Sequence, residues 1–386
     1  MRLSRYILPF VATSLLCAAD EPAPAAPAVA EINQRVLALE NQASQQIAER
    51  LAILAFAELT WRATHGDPRD GNDNHFALGQ FDLFMSRNIR ENSRFLSEVV
   101  IEADQDGNTV VDLERCLLAY RPFSELELSA GRYHTHMGWW NATYHHGEWF
   151  QPTIGRPAGL EFEDGGGILP VHFIGLAAEK GFSWSAVELK LIAEVGNGRG
   201  PAPDPPQVSA DANDSKAVNL AFSLSPTAFP DLEFGASFAF DDIPKFTGNS
   251  DFPAHGELDE HIAGIYGALQ HGPLQSNLEV FTVRHHDPFN GTTTTSRTGY
   301  ALIAWRCARA RHRDLTPYFR ADRLVVDDGD SYFGSTDDRT DLHLGLRWDM
   351  TSVIAVKLQG TRSTYTFANG DHPRSSGVAV QFSGRF

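Results

Sequence analysis

The sequence predicts an all-β fold: a transmembrane antiparallel β-barrel of about 16 strands, preceded by a short N-terminal periplasmic helix or coiled coil. Three observations point there. Apolar residues alternate with polar or small ones over segments of roughly 10 residues, the length of a tilted strand crossing a bilayer. Tight turns alternate with long polar connections down the chain. The last ten residues, Gly377 to Phe386, keep the same alternation to the end. No run reaches the ~18 apolar residues of a spanning helix, and only helices and closed barrels satisfy their own backbone in lipid. A secreted β-sandwich would also alternate, but its strands need not be so long nor its connections so asymmetric.

The elements follow in order. Arg2 and Arg5 precede an apolar run from Tyr6 to Cys17, and Cys17-Ala18-Ala19 offers small residues for cleavage, so 1–19 reads as a secretory signal peptide. Leu16 is bulky where a lipid-modified cysteine would follow a small residue. Residues 20–30 are rich in Pro and Ala and read as an extended linker. Ile32, Val36, Leu39 and Ala43 recur at helical steps, and Ile47, Leu51 and Leu54 continue after a change of phase. Segment 31–54 is therefore expected to be a helix, either self-associating or packed on the barrel rim.

From residue 55 to 386 the period is two. Val187, Leu189, Leu191, Ala193 and Val195 form one face, and Glu188, Lys190 and Glu194 the other, with Ile192 out of phase. Val218–Leu224, Leu232–Phe240 and Leu342–Trp348 repeat the pattern. Short turns are expected at 90–93, 121–124, 225–228, 271–273 and 349–352, with long loops at about 135–169, 196–215, 241–258, 286–297, 327–339 and 367–375. Phe56–Ala63 supplies the strand needed for an even count.

The chain carries 49 acidic residues against 32 basic ones, a formal charge of −17, and loss of Arg2 and Arg5 makes it more negative. Binding nucleic acid needs a basic footprint, so nucleic acid is excluded as a partner. Cys116 and Cys307 are too few for a disulfide framework and read as ordinary strand residues.

Several segments together carry a resemblance: Phe95–Glu102, Val111–Phe123, Leu126–Arg132, Phe162–Pro170 and the terminal Phe386. In these the chain resembles outer-membrane porins of the phosphate-selective O/P-type superfamily. The resemblance implies a homotrimer, a C-terminal assembly signal at Phe386 read by the barrel-assembly machinery, and residence in the outer membrane of a Gram-negative-type bacterium. An N-terminal coil also occurs in some relatives. Phosphate-selective members have a lumen rich in arginine and lysine. This chain has only five lysines and an acidic excess, so the family name carries no substrate here.

Strand phase points Glu98, Glu102, Glu188, Lys190, Glu194, Arg347, Lys357 and Arg385 inward as pore-lining candidates, with His343 and Asp349 beside them. The longest loop, 135–169, is the candidate for an inward fold that narrows the pore. Its start holds His134, His136, Trp139, Trp140, His145, His146 and Glu148. The aromatics could stack on a sugar or pack the loop on the wall. His134 and His136 share a face if the strand continues, and with His145 or His146 and Glu148 could ligate a metal. No known metal spacing is present, so structural or pH-responsive histidines are expected. His285-His286-Asp287 is read in the same way, and the acidic runs at 327–330 and 337–338 as divalent-ion patches or solvated loops.

No serine stands in a Gly-x-Ser-x-Gly turn, and no glycine loop for a dinucleotide or phosphate is present, so neither an enzyme nor a cofactor is expected. The expected function is a passive channel for small hydrophilic solutes or ions. The alternatives are a binding or adhesive barrel, or a barrel hydrolase.

Overall fold

The computed structural model describes residues 51–386 apart from 69–70, 91, 104–108, 145–147, 163–164, 204–210, 250–251, 308–313, 335 and 368. The expected signal peptide, linker and most of the helical segment lie outside the described residues, as do His145 and His146.

Sixteen strands close into one antiparallel barrel, each paired with its sequence neighbours. They are β1 (Ala52–Asp67), β2 (Gly71–Arg90), β3 (Ser93–Ala103), β4 (Thr109–Phe123), β5 (Leu126–His134) and β6 (His172–Ser183). β7 (Val187–Asn197), β8 (Ala217–Pro226), β9 (Leu232–Ile243), β10 (Leu258–His271) and β11 (Leu274–His286) follow. β12 (Thr293–Trp305), β13 (Asp314–Val325), β14 (Asp338–Asp349), β15 (Ile354–Thr366) and β16 (Arg374–Arg385) complete the ring. One five-residue helix, α1 (Trp139–Thr143), lies between β5 and β6. Among the described residues no helix is long and apolar enough to cross a membrane.

The seam joins β1 to β16, in register from Phe56↔Arg385 to His65↔Ser376. Phe386 extends it: Ala55 N–H donates to the Phe386 carbonyl at 2.8 Å, and Phe386 N–H donates back at 3.0 Å. The terminal aromatic thus satisfies the last backbone groups of the closure, and its ring lies 6.0 Å from that of Phe81.

Each strand turns one phase outward. Leu342, Leu344 and Leu346 are exposed while Asp341, His343 and Arg347 are buried, as expected where lipid covers one face. The sequence reading placed Ala52–Leu54 in the helical segment. They belong to β1 instead, paired with Phe84–Ser86 of β2. The helical phase has already broken at Ile47, and the apolar Leu51-Ala-Ile-Leu54 run fits a strand whose backbone bonds β2 can satisfy. A further turn, at 184–186, carries no Gly or Pro to mark it.

The barrel is not an open tube. The inner faces of β10 to β13 carry Ile262, Phe281, Val283, Tyr300, Leu302, Tyr318 and Leu324, all buried and part of one apolar cluster. Trp139, Trp140, Tyr144, Leu160, Ile168 and Leu169, from the β5–β6 connection, pack into that cluster.

Candidate functional site: the inserted loop and its anchors

The described parts of the connection between β5 and β6 run inside the barrel, and their backbone polar groups must find partners there. Carboxylates take the N–H groups at its start. Glu279 of β11 accepts from Trp139 N–H at 2.9 Å, Trp140 N–H at 2.7 Å and the Tyr300 hydroxyl at 2.6 Å. Gly138 makes this approach possible, with φ 84° and a position where any side chain would run into Glu279. Glu194 of β7 accepts from His136 N–H at 3.2 Å and contacts its Nδ1 at 2.7 Å.

Cations take the carbonyls further along. Arg320 of β13 donates to Thr153 Oγ1 and Gly155 O at 2.7 Å and to Arg156 O at 3.0 Å. Arg347 of β14 donates to Trp149 O at 2.5 Å and Gln151 O at 2.9 Å. Lys357 of β15 donates to Glu148 O at 2.6 Å and Thr153 O at 2.9 Å. Gln359 bonds Ile154 on both sides, accepting from its N–H at 3.1 Å and donating to its carbonyl at 3.2 Å. Gln381 of β16 holds the Glu148 carboxylate. The loop is held by six consecutive strands, β11 to β16, that reach from the apolar wall to the seam; five bond it and β12 contributes by contact, since a side chain at Gly159 would clash with Thr298.

Cavities lie on both sides of segment 148–152. Towards the short turns is a space of about 800 Å³ lined by Trp149, Phe150, Pro152, Arg347, Asp349 and Arg385. Towards the long loops, spaces of about 370 and 210 Å³ share Arg62, Gly155, Arg156 and Glu161 in their linings and so adjoin. Glu148 and Gln151 line the upper side, Trp149 and Phe150 the lower, and Phe150 meets Phe56 of β1 with ring centroids 4.9 Å apart.

The residues singled out from the sequence fall into three groups. Arg347 and Lys357 hold the loop. Lys357 is fully buried, so it touches loop carbonyls rather than open lumen water. Arg385 borders the lower space, lies 4.4 Å from the Trp149 ring and donates to Ser352 O. Glu98 is also fully buried, paired with Arg115, while Glu102 accepts from Gln80 at 3.0 Å. Lys190 pairs with Glu179 at 3.0 Å, and Glu188 is exposed near the turn into β7.

The two described histidines at the loop start do not converge. β5 ends at His134, whose ring packs 4.7 Å from that of His172, whereas His136 turns to Glu194 and Glu179. The chain leaves strand geometry between them, so the two-residue spacing no longer sets a common face. Among the described residues the group able to converge on a metal is Asp322, Asp341 and His343. Arg320 already pairs with Asp322 at 3.1 Å and Arg339 with Asp341 at 3.2 Å, which makes it an ion-pair network. The acidic run at 327–330 is also engaged: Asp330 joins His285 at 2.9 Å, and His285 joins Glu260, itself paired with Arg199. That buried network ties the loops after β7 and β13 to β10 and β11.

The sequence reading missed Glu279, Arg320, Gln359, Gln381, Glu58 and Arg62. Their one signal is polarity at inward phase in a strand, which dozens of other residues share.

No family model matches the chain, and no curated protein matches it. Solved structures do share its fold. The anion-selective porin from Comamonas acidovorans aligns with TM-score 0.60 at 9% identity, covering 87% of this chain and 99% of that one. The outer membrane channel DcaP of Acinetobacter baumannii aligns at 0.56 and 9%, covering 87% and 97%. OmpT, an outer membrane protein of Vibrio cholerae in a trimer form, aligns at 0.55 and 11%, covering 87% and 99%. Identities this low establish the fold: a closed barrel of the outer-membrane type.

Proposed function

We propose that this chain is an outer-membrane porin, a passive diffusion channel for small hydrophilic solutes or ions, narrowed by the loop between β5 and β6. The observation that carries this reading is a loop hydrogen-bonded along the inner wall with spaces of about 800 and 370 Å³ on either side of residues 148–152. Such a wall excludes large solutes and needs no turnover chemistry. The outward apolar faces suit a lipid bilayer, and the segments resembling O/P-type porins support kinship with that superfamily without its substrate. The signal peptide of 1–19, a homotrimer aided by helix 31–54, and recognition of Phe386 by the assembly machinery belong to the same proposal.

Planar-bilayer recording tests it. Correctly folded protein should give stable unitary conductances, and their absence would overturn the porin reading. With the acidic excess, the reversal potential in a salt gradient should show cation preference or weak selectivity; a clear anion preference would mean that lumen arginines dominate.

A pH effect is expected at the loop start. Burial pushes the His136 pKa down, but the hydrogen bond and charge of Glu194, with Glu179 behind it and Lys190 opposing, raise it above its ordinary 6.5. A raised histidine favours the docked state fully below the ordinary value and stops doing so as pH climbs through the raised one. Conductance noise should therefore increase on the alkaline side, and His136→Gln should flatten that dependence.

A further inference from the structure

We infer that the space between β1, β2, β16 and the loop is a binding subsite for small zwitterionic solutes of the α-amino-acid type, with Arg62 facing the carboxylate and Glu58 and Glu148 facing the ammonium. This rests on the porin reading and adds a preference to it. A solute in the barrel meets an apolar, filled wall along β10 to β13 and open space with a polar lining along β1 and β14 to β16, so its route runs past Arg62. Arg62 lines both adjoining upper spaces.

Charge balance singles out these three groups. Arg156 and Glu161 line the same spaces but are engaged, Arg156 by Leu160 O and Asn141 and Glu161 by Arg339. Arg320, Arg339 and Arg347 each have a carboxylate partner, and Lys357 gives its protons to main-chain carbonyls. Arg62 is exposed, and the charge that acts on it, Asp73 of β2, is itself engaged by His75 at 2.6 Å. The Glu58 carboxylate is 8% exposed and accepts the Gln80 N–H at 2.8 Å, and Glu148 accepts from Gln381. Lys357 is the cation near both carboxylates, but it gives its protons to the carbonyls of Glu148 and Thr153, so two carboxylates share one cation that is already engaged. Carboxylates so placed gain from a cation, and an exposed guanidinium gains from a bidentate anion. One small molecule with both charges satisfies both, and the 370 Å³ space accommodates a solute of that size.

Influx into proteoliposomes tests this with four probes of similar size: L-alanine, neutral lactamide, anionic lactate and cationic ethanolamine. Alanine influx should saturate with concentration while lactamide influx stays linear. In Arg62→Gln and Glu58→Gln the alanine-to-lactamide ratio at low concentration should fall about tenfold, the loss expected for one charge-assisted contact. Taking the ratio corrects for the number and width of channels. The wild-type protein is decisive without any variant. Linear alanine influx overturns the subsite, saturation by lactate alone makes it an anion site, and saturation by ethanolamine alone makes it a cation site. A failed porin reading looks different, since lactamide would then enter no faster than it enters protein-free liposomes.

Discussion

Glu279→Leu is expected to release the start of the loop and give a larger, noisier conductance. The Glu279 carboxylate is fully buried and accepts from two backbone N–H groups and the Tyr300 hydroxyl. Leucine fills a similar volume but leaves three donors without an acceptor. Each buried unsatisfied donor costs about 1–3 kcal/mol. At about 1.4 kcal/mol per tenfold, the undocked population of the loop start should rise by two orders of magnitude or more. Glu279→Gln keeps one acceptor oxygen and should fall between parent and leucine variant. The readouts are unitary conductance, open-channel noise and quenching of tryptophan fluorescence, since Trp139 and Trp140 sit at the released end. Unchanged conductance and unchanged quenching in a folded leucine variant would show that the apolar contacts of Trp140 and Leu160 hold the loop without Glu279.

The barrel was legible in the sequence because lipid imposes a strict rule on one face of every strand. Leu342, Leu344 and Leu346 must all point outward, so their neighbours His343 and Arg347 could be assigned inward from spacing alone. The same phase placed Lys357 and Arg385 on the inner face. What those cations touch was not legible. Lys357 meets the carbonyls of Glu148 and Thr153 more than 200 positions away, and main-chain partners leave no mark in the identity of the residues that supply them. Glu279 was passed over because a carboxylate at inward phase looks the same whether it faces water or two backbone N–H groups. The helix-to-strand boundary slipped for a different reason. Leu51-Ala-Ile-Leu54 suits either element, and pairing with β2 decides it.

Arg320→Met is expected to be the most destabilising single change in the lumen. The guanidinium is 2% exposed, pairs with Asp322 at 3.1 Å and donates to three acceptors on the loop. Removing one member of a buried ion pair typically costs about 3–5 kcal/mol, because the other charge stays buried without its partner. Here Asp322, also 2% exposed, would keep, among the described residues, His343 at 3.2 Å. The double variant Arg320→Met with Asp322→Asn separates the two roles of the arginine. It removes the stranded charge, so part of the loss should return. The remainder is the loop's share: Thr153, Gly155 and Arg156 oxygens left without a donor, about 1–3 kcal/mol for each that water cannot reach. Urea midpoints of the refolded protein in lipid vesicles measure the sum, and conductance reports the loop. If the single variant matches the parent in both, the cationic strands β13 to β15 do not clamp the loop, and its position must come from the packing of Trp139, Trp140 and Leu160 alone.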